Sequence, residues 1–362
     1  MLEPVEISGP VPLSPAQQRL WFLNRLEGPN ATYNQPEVLR LAGPLDERAL
    51  EDAVNDVMGR HQPLRTVFYE VDGRPYQRVV PVEEARIALP AVDVGSGGLA
   101  ALVDETARAP FDLAGDLPLR AVLFRESPEE HTLVLVIHHV ATDGWSNTPL
   151  SRDLSAAYNA RCGGGVPQWE PLPVQYTDYA LWQQRLLGLD ESPSAVRVRQ
   201  LDYWTGQLAE LPTTLDLPAD RPRPAVPTHR GGSVPIRLSP ELTGRLAVLA
   251  QACNATVFMV LQAALATLLT RHGAGTDIPI GTPTAGRGDS QLDDHVGFFV
   301  NTLVLRNDTG GNPAFRALLE RTRETNLHAY THGDLPFDQL VTALNPPRST
   351  AHHPLFQILL AF

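Results

Sequence analysis

Residues 133–146 read LVLVIHHVATDGWS and set two histidines, an aspartate and a glycine close together at the end of an apolar run. In a strand, neighbouring side chains point to opposite faces, so His138 and His139 cannot share one task if the strand persists through both. One then faces a core and the other is available to a cleft. Asp143 follows after a strand-to-loop change, and Gly144 supplies backbone that a substrate can approach closely. Amides from Gly144 onwards would open a helix, where N–H groups and the helix dipole favour developing negative charge. Three readings of the stretch stand side by side. The histidines could be hydrogen-bonded core residues at a strand end. They could bind a metal, although adjacent strand histidines diverge and no third ligand lies at a supporting spacing. Or one exposed imidazole with oriented amides could serve acyl transfer as a general base or positioner.

Composition narrows the chemistry further. The formal net charge is -12, and no segment supplies the basic patch that a nucleic acid or an anionic membrane would require. Every basic residue is arginine, which excludes a Schiff-base lysine, a cofactor-anchoring lysine and the lysine of a phosphate-cradling loop. Cys162 and Cys253 lie far apart without CxxC spacing, as suits a reduced, cytoplasmic protein. The N-terminus lacks a basic start followed by an apolar stretch, and no window is apolar for long enough to span a membrane.

The elements that must position the histidines are legible from caps and periodicity. Ser14, Pro15 and Gln17 announce a helix from residue 15 to about 26, with a capping box at its start. Asp46 caps a second helix in "LDERALEDAVNDVMGRH", where Leu50, Ala53/Val54 and Val57/Met58 recur at helical spacing. Asp72-Gly73 joins two strands in a hairpin. Residues 118–125 and 132–140 read as strands, the latter apolar on both faces and hence central. A helical pattern after Gly144 stops at "CGGG", and two more helices follow from Tyr176. Residues 211–232 are Pro-rich, aperiodic and the most linker-like part of the chain. Beyond them come a helix from Pro240, a nearly all-round apolar and therefore buried helix in "ATVFMVLQAALATLLTRHG", and strands in "DIPIGTPTAGR" and "VGFFVNTLVLR". A helix in "NPAFRALLERTRETNLHAY" and a terminal strand-like "PLFQILLAF" complete the chain. Helices and strands mix in both halves, and the 362-residue length suits two lobes. Trp21, Trp182 and Trp204 read as core, Arg60 and Arg65 as structural. Asn301 and Thr302 interrupt an apolar strand, so a buried asparagine there must find partners.

Seven strings resemble, in order, the motifs of nonribosomal peptide synthetase condensation domains: "LSPAQQRLWFL", "RHQPLRTVF", "IHHVATDGWS", "YTDYALW", "VGFFVNTLVLR", "HGDLPFDQLV" and "RSTAHHPLFQ". They span residues 13 to 357, and the order makes the resemblance specific. Gly333 stands where the family usually has glutamine. The resemblance implies an α/β fold of two chloramphenicol acetyltransferase-like lobes, 1–175 and 176–362, arranged as a V around a central tunnel. The second lobe would be incomplete at its C-terminus, because family members continue past "LFQ".

Carried onto this chain, the resemblance implies peptide-bond formation in the tunnel. Donor and acceptor carrier proteins would each deliver an aminoacyl or peptidyl thioester on a 4'-phosphopantetheine arm, with an adenylation domain loading the carriers. No cofactor would be covalently bound and no metal used; nucleic acid and membrane are not expected partners. His139 would face the tunnel and His138 would be its structural neighbour. Asp143 would be held by an arginine of the other lobe, with Arg287 the first choice and Arg65 the alternative. Gly144 N–H would steady the oxyanion, and Trp145, Ser146, Asn301 and Thr302 would line the tunnel or the lobe interface. An α-amine of pKa about 8 is about nine-tenths protonated at pH 7, so exposing its lone pair costs only about 1 kcal/mol. Alignment with the thioester can supply roughly 7 to 11 kcal/mol. Positioning is therefore expected to outweigh base catalysis.

Within the superfamily, the wording "VGFFVNTLVLR" disfavours an epimerisation domain, and the intact histidine pair disfavours a heterocyclisation domain. The motifs look like the subtype joining an L-configured donor to an L-configured acceptor. Two rivals are a catalytically silent module that recruits a tailoring enzyme and a stand-alone acyltransferase using coenzyme A thioesters.

Overall fold

In a computed structural model, residues 2–7, 9–95, 98–189, 192–225, 231–347, 349 and 351–362 are described. The chain forms two compact units, Met1–Ser192 with Arg287–Val300 and Pro193–Gly286 with Asn301–Phe362.

The first unit contains, in order, β1 (Val11–Pro12), α1 (Pro15–Glu27), β2 (Asn34–Ala42), α2 (Glu47–Arg60), β3 (Thr66–Val71), β4 (Arg74–Val79), β5 (Ala91–Asp93), α3 (Leu99–Arg108), β6 (Leu119–Ser127), β7 (Glu130–His138), α4 (Asn147–Cys162) and α5 (Tyr176–Leu187). Ser14 caps α1 in the expected capping box with Gln17, and the Asp46 side chain accepts from Ala49 N–H at the start of α2. The β3–β4 hairpin turns through Asp72 and Gly73, both at positive φ (51° and 75°), as a two-residue turn of this kind requires. The main sheet runs β2-β7-β6-β5, antiparallel except for β5 alongside β6. The central position read for "TLVLVIHHV" is therefore occupied by β7, buried along all but its first residue. Leu133 to Ile137 join Phe68, Phe111, Leu123 and Met58 in one large apolar core.

The second unit contains α6 (Ala195–Gln207), α7 (Pro240–Ala252), α8 (Val257–Arg271), β8 (Asp277–Thr284), β9 (Asn301–Asp308), α9 (Phe315–Thr331) and α10 (Phe337–Leu344). Strands β8 and β9 pair antiparallel. A fully buried amide chain ties α8, α9 and β9 together: Asn326 donates to Gln262 Oε1 (2.8 Å), and Gln262 donates to Asn307 Oδ1 (2.8 Å). Trp21 and Trp204 are core residues as expected, and Trp182 is partly buried.

Four expectations change. A division near residue 175 falls inside the first unit, because Tyr176 and Tyr179 on α5 are buried there against Phe299. The Pro-rich segment is not the junction between units. Leu215 is buried with Ile278 and Ile280 of the second unit, and its N–H bonds Gln357 Oε1; residues 226–230 lie outside the described residues. Helix α8 is buried on one face only, with Leu268 54% exposed, so its all-round apolarity misled. The terminal "PLFQILLAF" forms no named strand, though its backbone brackets Gly281 in a single parallel bridge to Leu359. Gly281 is required there, since a Cβ would lie 2.5 Å from the Phe356 ring.

Candidate active site around the His138–Ser146 turn

Strand β7 ends at His138, and His139–Ala141 form one turn of 3-10 helix. The two histidines divide their surroundings as anticipated, but because the chain turns, not because a strand continues. His138 is 2% exposed; its Nδ1 accepts from Val140 N–H (3.1 Å), and Phe111 meets its ring edge-on. Burial, helped by the adjacent His139, pushes the His138 pKa down to about 4, so it is neutral at pH 7. His139 is partly exposed. Its Nδ1 lies 2.6 Å from the carbonyl oxygen of Thr142. A carbonyl only accepts, so Nδ1 carries a proton, and Nε2 is the ring nitrogen left without a partner among the described residues. The Phe298 ring packs 4.7 Å away, centroid to centroid.

Asp143 sits where a carboxylate is best satisfied. Its Oδ1 accepts from Ser146 N–H (3.0 Å), Ser146 Oγ–H (2.8 Å) and Arg287 Nη2 (3.0 Å), and its Oδ2 from Phe299 N–H (3.1 Å). Both oxygens are committed, and the hydrogen bond of the His139 ring goes to Thr142 and not to Asp143. The spacing that builds this is a capping box: Asp143 caps the 3-10 turn Gly144–Ser146, and the Ser146 hydroxyl reaches back to Asp143 N–H. Of the two arginines weighed, the partner is Arg287; Arg65 donates instead to Val80 O. Arg287 lies in the same compact unit as Asp143, contrary to the expectation of an arginine from the other lobe. Its Nη1 holds Leu292 O (2.6 Å) and His295 O (3.0 Å), and its guanidinium covers the Phe299 ring at 4.1 Å.

Arg287–Val300 enters the first unit for this reason. Residues 296–300 are not the start of a strand, as their apolar run suggested; their backbone groups serve the turn instead. Gly297 N–H donates to the Ser146 hydroxyl oxygen (3.1 Å), whose own proton is given to Asp143. A Cβ on Gly297 would come within 2.7 Å of both Phe299 and Tyr176, so only glycine fits. Strand β9 begins at Asn301, whose Nδ2 bonds Gly333 O and Leu335 O while Oδ1 accepts from Thr302 N–H and Phe337 N–H. This asparagine thus finds four partners and fixes the loop before α10.

The remaining expected residues separate. Ser146 is fully buried inside the first unit rather than lining a cavity, and the structure makes it the hub of the turn. Trp145 is 44% exposed, and Asn301 and Thr302 are half-buried in the second unit. Gly144 is exposed, its N–H has no acceptor among the described residues, and a Cβ there would meet nothing within 4 Å. Sequence reading gave Ser146 a place on the tunnel or lobe interface and not its role as the capping partner of Asp143, although Asp143-x-x-Ser146 carries that signal. It also missed Tyr176 and Phe298, which no local pattern links to His139. Among the described residues no three His, Cys, Asp or Glu side chains gather as metal ligands, and no single helix is long and apolar enough to cross a membrane.

The condensation-domain family model matches residues 7–362. The chain belongs to the condensation-domain family. This condensation domain is 57% identical over 361 residues to a probable non-canonical nonribosomal peptide synthetase, CymA, of Salinispora arenicola, covering 100% of the chain and 5% of that relative. It is 53% identical over 352 residues to the dimodular nonribosomal peptide synthase of Bacillus subtilis, covering 97% and 15%. The chain therefore spans a small part of these curated relatives. Among solved structures, the X-domain from teicoplanin biosynthesis aligns with a TM-score of 0.89 at 38% identity, over 99% of this chain and 79% of that one. The first condensation domain of the CDA synthetase shares the fold, with a TM-score of 0.76 at 23% identity over 93% and 80%. The fold is thus the mixed α/β, chloramphenicol acetyltransferase-like fold of condensation domains. In nonribosomal peptide synthetases, condensation domains take substrates carried on the phosphopantetheine of partner carrier domains.

Proposed function

We propose that this condensation domain forms a peptide bond between two carrier-bound substrates at the His139 turn. The α-amine of the acceptor aminoacyl thioester attacks the carbonyl carbon of the donor thioester. The new C–N bond forms, the C–S bond breaks, and the amine's proton passes to the departing thiolate, leaving an amide and a free phosphopantetheine thiol. His139 Nε2, bare and fixed by the Nδ1–H bond to Thr142, accepts a hydrogen bond from the amine, orients its lone pair and can hold the proton during transfer. The open, unpaired Gly144 N–H is the contact for the oxyanion. The observation that carries this reading is the partly exposed His139 with its protonated Nδ1 bonded inward, beside a carboxylate wholly occupied by structure. Donor and acceptor carrier proteins and an adenylation domain are the partners this reading requires, in the cytoplasm. The motif wording favours L-configured donor and acceptor.

A second reading has its own support. The X-domain that resembles this chain has also been solved as a complex of the X-domain and OxyB, at 36% identity and a TM-score of 0.90. On that analogy the chain would be a silent module that recruits a tailoring enzyme. The intact His138–His139 pair argues for chemistry. Amide formation measured with a carrier-bound donor, with a coenzyme A donor and with neither separates the readings. Product from the carrier-bound donor alone supports peptide-bond formation. Equal product from coenzyme A thioesters makes the domain a free-standing acyltransferase, and no product with either donor favours the recruiting module.

A further inference from the structure

We propose that Phe298, held in place by Tyr176, is a positioning residue that fixes the orientation of the His139 imidazole; this rests on His139 being the group that meets the amine. Three consecutive residues are clamped through their backbones. Gly297 N–H donates to Ser146 Oγ, Phe298 O accepts from Tyr176 Oη–H (2.5 Å), and Phe299 N–H donates to Asp143 Oδ2. The backbone is pinned on both sides, and the buried Phe298 ring ends against His139.

The hydroxyl chain that sets Phe298 has a defined polarity. Phe298 O can only accept, so the single Tyr176 proton is spent on it, and Tyr176 Oη must accept from Ser14 Oγ–H at 2.9 Å. Ser14 in turn caps α1 and accepts from Gln17 N–H. Helix α1 lies against the 139–141 turn, so the same cap also seats the chain carrying His139. Burial holds the Tyr176 phenol well above its ordinary pKa, keeping it a donor throughout the working range. Among the described residues, the His139 ring has one hydrogen bond, at Nδ1, which permits tilting about its axis. Phe298 is 2% exposed and supplies the missing wall. Neither Tyr176 nor Phe298 needs to touch substrate for this role.

The test uses Phe298→Leu, which keeps an apolar side chain but removes the ring, and Tyr176→Phe, which keeps the ring but removes the hydroxyl. The domain is studied in its parent synthetase for kinetics and as the folded chain for spectroscopy. With defined aminoacyl carriers, Phe298→Leu is expected to lower kcat by about tenfold to 100-fold, the scale of a misplaced reacting group, with KM for both carriers unchanged. Tyr176→Phe is expected to lower it in the same sense by less. In 15N spectra of histidine-labelled protein, wild-type His139 is expected as the Nδ1–H tautomer, and Phe298→Leu as an average of both tautomers. A merely structural Phe298 would lower the melting temperature while leaving the His139 tautomer and the kcat-to-KM split as in wild type, and that result overturns the proposal. If Phe298→Leu does not fold, an unchanged His139 tautomer and kcat in Tyr176→Phe overturns it. If the wild type forms no amide at all, the proposed function fails, and the tautomer spectra alone then decide whether Phe298 positions His139.

Discussion

Replacing Arg287 by methionine tests the structural core of the site. The side chain is 5% exposed and its partner Asp143 is fully buried. The substitution takes away one of the four donors to the Asp143 carboxylate, both donors to Leu292 O and His295 O, and the cation over the Phe299 ring. Breaking a buried pair by removing one partner typically costs about 3 to 5 kcal/mol, chiefly because the surviving charge is left buried. Here Ser146 N–H, Ser146 Oγ–H and Phe299 N–H still hold Asp143, which moderates that term. The two stranded carbonyls add about 1 to 3 kcal/mol each if water cannot reach them. A net loss of about 4 kcal/mol is expected, or roughly 10 °C in melting temperature for a unit of this size. Urea unfolding of Arg287→Met, Asp143→Asn and the double variant gives the coupling directly. The double variant should be less destabilised than the sum of the two singles, since neutralising Asp143 removes the stranded charge. A loss below about 1 kcal/mol in Arg287→Met, or strictly additive effects, would refute the assignment of Arg287 as the counter-ion.

Three further outcomes follow from the same geometry. Gly144→Ala should fold with wild-type stability, because its Cβ meets open space and its φ is not positive, yet lose amide formation where substrate approaches; Gly297→Ala should lose about 1 to 3 kcal/mol from its clash with Tyr176 and Phe299, both read by thermal unfolding. The buried His138 stays neutral in the native state down to pH about 4, whereas the unfolded chain protonates it near pH 6.5, so the unfolded state binds more protons in that window and stability falls as pH drops through it. His61 and His295, also lowered by burial, act in the same sense, and His138→Gln should flatten the stability profile between pH 6.5 and 4 by up to about 3 kcal/mol. Asn301→Leu should destabilise the second unit by several kcal/mol, since it strands two carbonyls and two N–H groups; hydrogen exchange at Thr302 and Phe337 would show which bonds open.

What the sequence could reveal was set by the range of the interactions. Helix caps and hairpin turns are local, so Ser14 with Gln17, Asp46, and Asp72-Gly73 were read correctly from neighbours in the chain. The buried central strand declared itself by apolarity on both faces. The choice of Arg287 over Arg65 came from motif resemblance, because no periodicity can pair residues so far apart in sequence. Residues 296–300 were read as strand because an apolar run carries no sign that its amides are committed to side chains of a distant turn. The same blindness hid Phe298 and Tyr176, whose link to His139 runs through a backbone carbonyl. Helix α8 failed for the opposite reason: composition alone cannot tell which faces find a neighbour.

The central claim is that His139 positions the attacking amine. It is tested most directly by chain extension in the intact parent module, with defined aminoacyl groups on both carriers, comparing wild type with His139→Ala at equal folded concentration. Amide formation is expected to fall by on the order of 100-fold or more in the variant, with both carriers still binding. Wild-type amide formation by His139→Ala would contradict it.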